Sequence, residues 1–186
     1  MRTLVLFGAA REDGYTKKLL DSFLEEGEGQ VKIIDAYRSE DIKPCIDCRY
    51  CFNKRQCFIK DSMQDVYAAI DEADCIVLAT PMYFNSVTGP MKLIIDRLQM
   101  YWAGTIRKDR EKERTKKGVI LMVGGAPAIE NQFLVGELVL KGVLSDLSSE
   151  CMGIVSVPNS DLITKEEFQE YMSATKAISK KIYSTD

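Results

Sequence analysis

Apolar runs of strand length alternate along this chain with longer segments whose apolar residues recur at helical spacing. Residues 3–7 form a short apolar run ending at Gly8, and residues 31–34, 75–79, 119–123 and 154–157 repeat the pattern. None of these runs alternates with polar residues, which predicts strands buried on both faces. Between them, residues 15–26 place Leu19, Leu20, Phe23 and Leu24 on one helical face. A second helix is expected from Ser62, with Met63, Val66, Tyr67 and Ile70 inward. A third is expected over residues 89–102, where Met91, Leu93, Ile94, Ile95, Leu98 and Met100 give a broad apolar face. Residues 129–147 and 165–183 supply two more. Strands that alternate with helices imply a parallel sheet wound on both faces. The pattern fits a three-layer α/β sandwich whose five parallel strands run in the order 2-1-3-4-5. One such domain over residues 1–186 is expected, with a cysteine-rich loop at residues 44–60.

Composition changes this picture mainly by exclusion. The chain has no histidine. That removes hydrolysis by a histidine base, histidine-ligated zinc catalysis and a histidine pH switch. The net charge of -3 gives no general pull towards nucleic acid or an anionic membrane. No stretch approaches the roughly 20 apolar residues of a membrane span. The apolar N-terminus breaks at a glycine turn and charges, unlike a secretory signal. A cytoplasmic protein with reduced thiols is therefore expected. The run over residues 107–117 holds seven bases and three acids. It reads as a solvated loop, a contact for the phosphates of a nicotinamide dinucleotide, or a subunit contact.

Four of the six cysteines fall within thirteen residues: Cys45, Cys48, Cys51 and Cys57, spaced C-x2-C-x2-C-x5-C. Thiolates this close in sequence can hold an iron–sulfur cluster or a zinc ion, or stay as bare thiols that pair reversibly. Arg49, Lys54, Arg55 and Lys60 are near enough in sequence to offset the charge of a thiolate-ligated cluster. Cys75 and Cys151 fall in or beside apolar strands and read as small core hydrophobes.

In an open parallel sheet, ligands bind outside the carboxyl ends of the strands, where strand order reverses. Three loops of this chain belong there. The first, residues 8–16, contains Gly8, Arg11, Gly14, Tyr15 and Thr16 and leads into a helix N-terminus, a natural phosphate site. It has neither the Walker A nor the G-x-G-x-x-G spacing. The second contains Pro81, Met82, Tyr83, Phe84, Asn85 and Ser86, an aromatic and apolar platform suited to a flat ligand. The third begins at Gly124 and Gly125, where a ligand can approach the backbone closely.

Taken together and in order, these loops resemble the flavodoxin-like NAD(P)H-dependent FMN reductase superfamily, most closely its iron–sulfur flavoprotein branch. In the first loop Gly8, Arg11, Gly14 and Thr16 match the family pattern, while Ala9 and Tyr15 stand where serine and asparagine are usual. In the second, Pro81, Tyr83, Gly89, Lys92, Asp96 and Arg97 match. The cysteine segment and the Lys60-Asp61-Ser62-Met63 stretch after it look like that branch's ending, with Ser62 substituted.

The resemblance implies a flavodoxin-like fold and FMN as cofactor. The FMN phosphate would lie on Arg11 and Thr16, and its ring against Pro81, Met82, Tyr83 and Phe84, near Gly124 and Gly125. It also implies a 4Fe-4S cluster on Cys45, Cys48, Cys51 and Cys57. NAD(P)H or a ferredoxin-like donor would supply electrons to a quinone, a flavin or a protein. Two other functions stay open: an electron carrier without a small-molecule substrate, and a redox or metal sensor built on the cysteine loop. The apolar residues Phe133, Leu134, Val135, Leu138, Val139, Val143 and Leu144, with Tyr101 and Trp102, exceed what one sheet face needs. A homodimer or tetramer is expected.

Overall fold

Five strands, β1 (Arg2–Phe7), β2 (Gln30–Asp35), β3 (Cys75–Pro81), β4 (Lys116–Val123) and β5 (Ser149–Val157), hydrogen-bond in the order β2-β1-β3-β4-β5. Every pairing is parallel, as the chain pattern predicts. A computed structural model describes residues 1–109 and 115–184. The sheet's two faces sort the strand residues by parity. Leu4, Leu6, Ile76, Leu78, Ile120 and Met122 face one core. It is completed by α2 (Met63–Glu72), α3 (Gly89–Arg97) and α6 (Leu134–Asp146). Val5, Phe7, Cys75, Val77, Ala79, Val119 and Leu121 face the other, beneath α1 (Tyr15–Leu24) and α7 (Lys165–Tyr183).

α1 and α7 pack on each other as well as on the sheet. Leu19, Leu20 and Phe23 are buried. Tyr15 meets Phe168 edge-on at 4.7 Å between ring centroids, and the Ser179 hydroxyl donates to the Phe23 carbonyl at 2.6 Å. The bounds of α7 coincide with those expected, because its ends carry local signals. Thr164 and Glu167 form a capping box, and Lys180 and Lys181 occupy the last turn.

Several sequence expectations need correcting. β2 is an edge strand, and Val31 and Ile33 are exposed, so burial on both faces does not extend to it. β5 starts at Ser149, well before residue 154. At the opposite edge Glu150 faces solvent beside the buried Ser149, and a register shift at Gly118/Val119 breaks the pattern. Cys151 lies on this edge and is exposed, so the core reading holds for Cys75 alone. The helix expected over residues 129–147 begins only at Leu134, because Asn131 takes a left-handed φ of 61°. The segment expected as one helix over residues 89–102 divides at Leu98, where bonding tightens to i→i+3. α3 is followed by two single turns, α4 (Gln99–Trp102) and α5 (Gly104–Arg107). Within the charge run, residues 110–114 lie outside the described residues. Its flanks are not simply solvated. Arg107 turns inward, Lys116 is buried, and the Lys117 ammonium donates to the Ile182 carbonyl at 2.6 Å.

Candidate functional site

A cavity of about 330 Å³ opens at the carboxyl ends of β1, β3 and β4. That lies at the low end of the range for small-ligand sites. Ala9, Ala10, Arg11, Gly14, Tyr15 and Thr16 line one side, and Pro81, Met82 and Tyr83 another. Gly125, Ala126, Ser160 and Asp161 complete the wall. α1 starts at this cavity with Gly14 as its N-cap. No side chain caps it, and its first turn has no acidic residue. The amide N–H groups and the positive dipole end are therefore left for an anionic ligand. Thr16 is buried and Arg11 exposed.

Not every sequence-nominated residue reaches the cavity. Gly8 lies beneath it, where the backbone threads between loops. A Cβ there would sit 2.9 Å from Met91 Cβ and 3.0 Å from Thr80 Oγ1. The Thr88 hydroxyl donates to the Gly8 carbonyl at 2.8 Å. Gly8→Ala is accordingly expected to cost about 1–3 kcal/mol of stability through overpacking. A urea midpoint equal to wild type would contradict this. Gly124 packs on Gln132 and Phe133, and Gly125 on the Asp161 carboxylate. Phe84 and Asn85 occupy a tight turn with left-handed φ values of 50° and 59°, closed by mutual hydrogen bonds between Tyr83 and Ser86. The Phe84 ring projects wholly into solvent.

Cys45, Cys48, Cys51 and Cys57 all line a second recess, with Ile46, Phe52, Phe58, Ile59, Arg97 and Met100. Cys45 and Cys48 are exposed, and Cys51 and Cys57 are half-buried. Burial pushes the Cys51 thiol up, and the three neighbouring cysteines add to the rise. Among the described residues, no three Cys, His, Asp or Glu side chains converge on one point where a single ion would sit. All four thiols nevertheless border the same recess, a donor set of the kind that holds zinc or an iron–sulfur cluster.

The recess is built by a buried ion pair. Arg97 is 2% exposed, and its guanidinium grips Asp61 through Nη1 at 2.7 Å and Nη2 at 3.0 Å. Burial raises the Asp61 carboxyl, but the Arg97 bonds and the Lys43 and Met63 amides outweigh it and hold the group below its ordinary value. Arg97 also donates to the Lys43 and Ile59 carbonyls and to Cys57 Sγ, at 3.4 Å. Its Nε–H has no partner. A second arginine, Arg107, donates to the Cys51 carbonyl. Of the cations nominated from sequence, Arg49 lines the recess, Lys60 reaches its edge, and Lys54 and Arg55 turn to other partners. Arg49 faces Asp47, Lys54 lies over the Tyr50 ring, and Arg55 pairs with Asp71. Lys60 reaches the Cys57 carbonyl at 3.3 Å.

The model of the NADPH-dependent FMN reductase family matches residues 1–134, which span the first four strands, the cysteine recess and the cavity walls apart from Ser160 and Asp161. The chain belongs to this family. An iron–sulfur flavoprotein of Archaeoglobus fulgidus is 32% identical over 103 residues, covering 54% of this chain and 47% of that protein. One of Methanocaldococcus jannaschii is 26% identical over 155 residues, 76% of each chain. The matched region spans about half the length of the first curated relatives. An FMN-dependent NADH-azoreductase of Bacillus anthracis, solved in complex with FMN, superposes with a TM-score of 0.69 at 12% identity, covering 98% of this chain and 99% of that one.

In this FMN reductase family chain the cavity walls are braced by packing behind them. Tyr15, which stands where asparagine is usual, has its ring held by Phe168 and by Lys18, whose ammonium lies 5.2 Å from it. Met82 packs into the space left by Gly136, where a Cβ would come within 2.5 Å of it. Sequence reasoning did not nominate Ser160 and Asp161, which arrive from the loop after β5, because a lone Ser-Asp carries no motif. It counted Arg97 only as a family match and did not connect it with the cysteines. A buried arginine at an apolar helical position is the signal that could have found it.

Proposed function

We propose that this chain is an FMN-dependent oxidoreductase that moves electrons from NAD(P)H or a ferredoxin-like donor to a quinone, a free flavin or a protein acceptor. The observation that carries this reading is the cavity at the β1, β3 and β4 ends, which sits against an uncapped helix N-terminus. FMN, when bound, supplies the hydride and electron chemistry itself. The chain's part is to bind and orient. Arg11, Thr16 and the first-turn amides of α1 hold the phosphate. Pro81, Met82, Tyr83 and Gly125 line the ring, and Asp161 adds a carboxylate to the wall. No histidine base is required.

Cys45, Cys48, Cys51 and Cys57 are proposed to hold a 4Fe-4S cluster, which when bound supplies a one-electron relay. The four thiols lining one recess and the orphaned Arg97 Nε–H beside them support this, as do relatives named iron–sulfur flavoproteins. The exposed side chains of Leu134, Val135 and Leu138 on α6, with Trp102 and Ile106, support a homo-oligomer. A monomeric mass in light scattering would refute it. We place the activity in the cytoplasm, where closely spaced thiols stay reduced and free to bind a cluster. No helix among the described residues is long and apolar enough to cross a membrane.

Anaerobic purification with an absorption spectrum and iron analysis tests both cofactors. A protein without flavin bands after reconstitution with FMN ends the reading. NAD(P)H oxidation with an added quinone separates an enzyme from a carrier, which turns over only with a protein partner. Arg11→Ala is expected to weaken FMN binding about tenfold, the scale of one charge-assisted contact. Fluorescence titration of the apoprotein reads this directly, and unchanged affinity removes Arg11 from the phosphate site.

A further inference from the structure

We propose that Arg97 is a positioning residue for the cysteine recess, holding Cys57 by an N–H···S bond that raises the reduction potential of the group bound there. This rests on the cluster reading above. The guanidinium is fully enclosed and has five N–H donors in a fixed plane. Two directions of that plane are taken by the Asp61 carboxylate, whose side chain is 0% exposed. Because Arg97 is locked in that fork, its remaining Nη2 direction is aimed at Cys57 Sγ and the Ile59 carbonyl. A lysine could neutralise Asp61, but it could not grip both carboxylate oxygens and hold a planar N–H on the sulfur.

The rest of the surroundings fix Arg97 rather than compete for it. Asp61 also accepts from the Lys43 amide at 3.0 Å and the Met63 amide at 3.1 Å, which ties it to both ends of the cysteine loop. The Tyr67 hydroxyl donates to the Arg97 carbonyl at 2.9 Å, and Tyr101 donates to the Tyr67 carbonyl at 3.1 Å. The sulfur therefore meets a donor whose position is set by two helices and a loop. Since Asp61 cancels the charge of Arg97, the effect on the sulfur comes mainly from the directed N–H dipole. Hydrogen bonds to cluster sulfurs favour the reduced, more negative state. Removing this one lowers the potential.

The test uses the anaerobically prepared holoprotein and the double variant R97M/D61N. It removes both charges together and so avoids leaving either one buried alone. Midpoint potential by EPR-monitored titration and iron release to a chelator are the two readouts. The expected result is a potential shifted negative and faster iron release, with helix content retained. Wild-type potential and release rate in the folded double variant overturn the assignment, because a purely structural ion pair would leave the potential where it was. If the double variant does not fold, R97K decides, with the same negative shift expected and an unchanged potential overturning the proposal. Wild-type protein that binds flavin but no iron after reconstitution fails the cluster reading itself, and the Arg97 assignment with it.

Discussion

Asp61→Ala lowers stability by about 3–5 kcal/mol, the range for removing one partner of a buried ion pair. The cost arises because Arg97 stays behind, enclosed and charged, with no carboxylate. Four attachments fail at once: the two Arg97 bonds and the amides of Lys43 and Met63. α2 also loses the carboxylate at its N-terminus, where Ser62 provides no side-chain cap. The measurement is urea unfolding followed by circular dichroism in wild type, Asp61→Ala and R97M/D61N. The double variant should recover much of the loss, and equal destabilisation in all variants would remove the ion pair from the account. The sign with pH follows from the same contacts. The Asp61 carboxyl is lowered in the folded state, so its contribution is present above its ordinary value of 3.8 and disappears as acid titrates through the folded value.

Alkaline loss of stability is the second large effect. Burial in the α1/α7 core pushes the Cys75 thiol up to about 12 from an ordinary 9.0. Below about pH 9 the thiol is protonated in both states and costs nothing. Between about 9 and 12 only the unfolded chain releases the proton, so unfolding gains up to about 1.4 kcal/mol per pH unit. By pH 12 the total is on the order of 4 kcal/mol. Tyr67 and Tyr183, both raised by burial, add to the slope above pH 10. Urea midpoints at pH 8 and pH 11 should diverge strongly in wild type and less in Cys75→Ala. Parallel behaviour of the two proteins would show that Cys75 does not carry the dependence.

The sheet order and the central strands were legible because continuous apolar runs leave little choice of burial. Edges were not. Val31 and Ile33 look like core residues and Ser149 and Glu150 do not, yet all four lie in edge strands where one flank meets water. Helix ends were legible where caps are local, as at Thr164, and illegible where one residue such as Asn131 turns left-handed. The three loops that meet at the cavity were recognisable as a set because each follows a buried strand, although sequence could not show that Phe84 points away from it. The cysteine spacing was the plainest signal of all. What it concealed was the support, since Arg97 lies 40 residues from Cys57 and reaches it only through the fold.

One helix touches both candidate centres. Thr88, the N-cap of α3, fastens the floor of the cavity through Gly8, and Arg97, its last residue, fastens the cysteine loop. Nine residues at about 1.5 Å each make a strut of roughly 13 Å. Under the proposed relay, in which tunnelling weakens steeply with separation, α3 sets the transfer distance. Lengthening it by one residue would also swing Arg97 about 100° around the axis. The gap between the two centres is therefore a length written into the chain between residues 88 and 97.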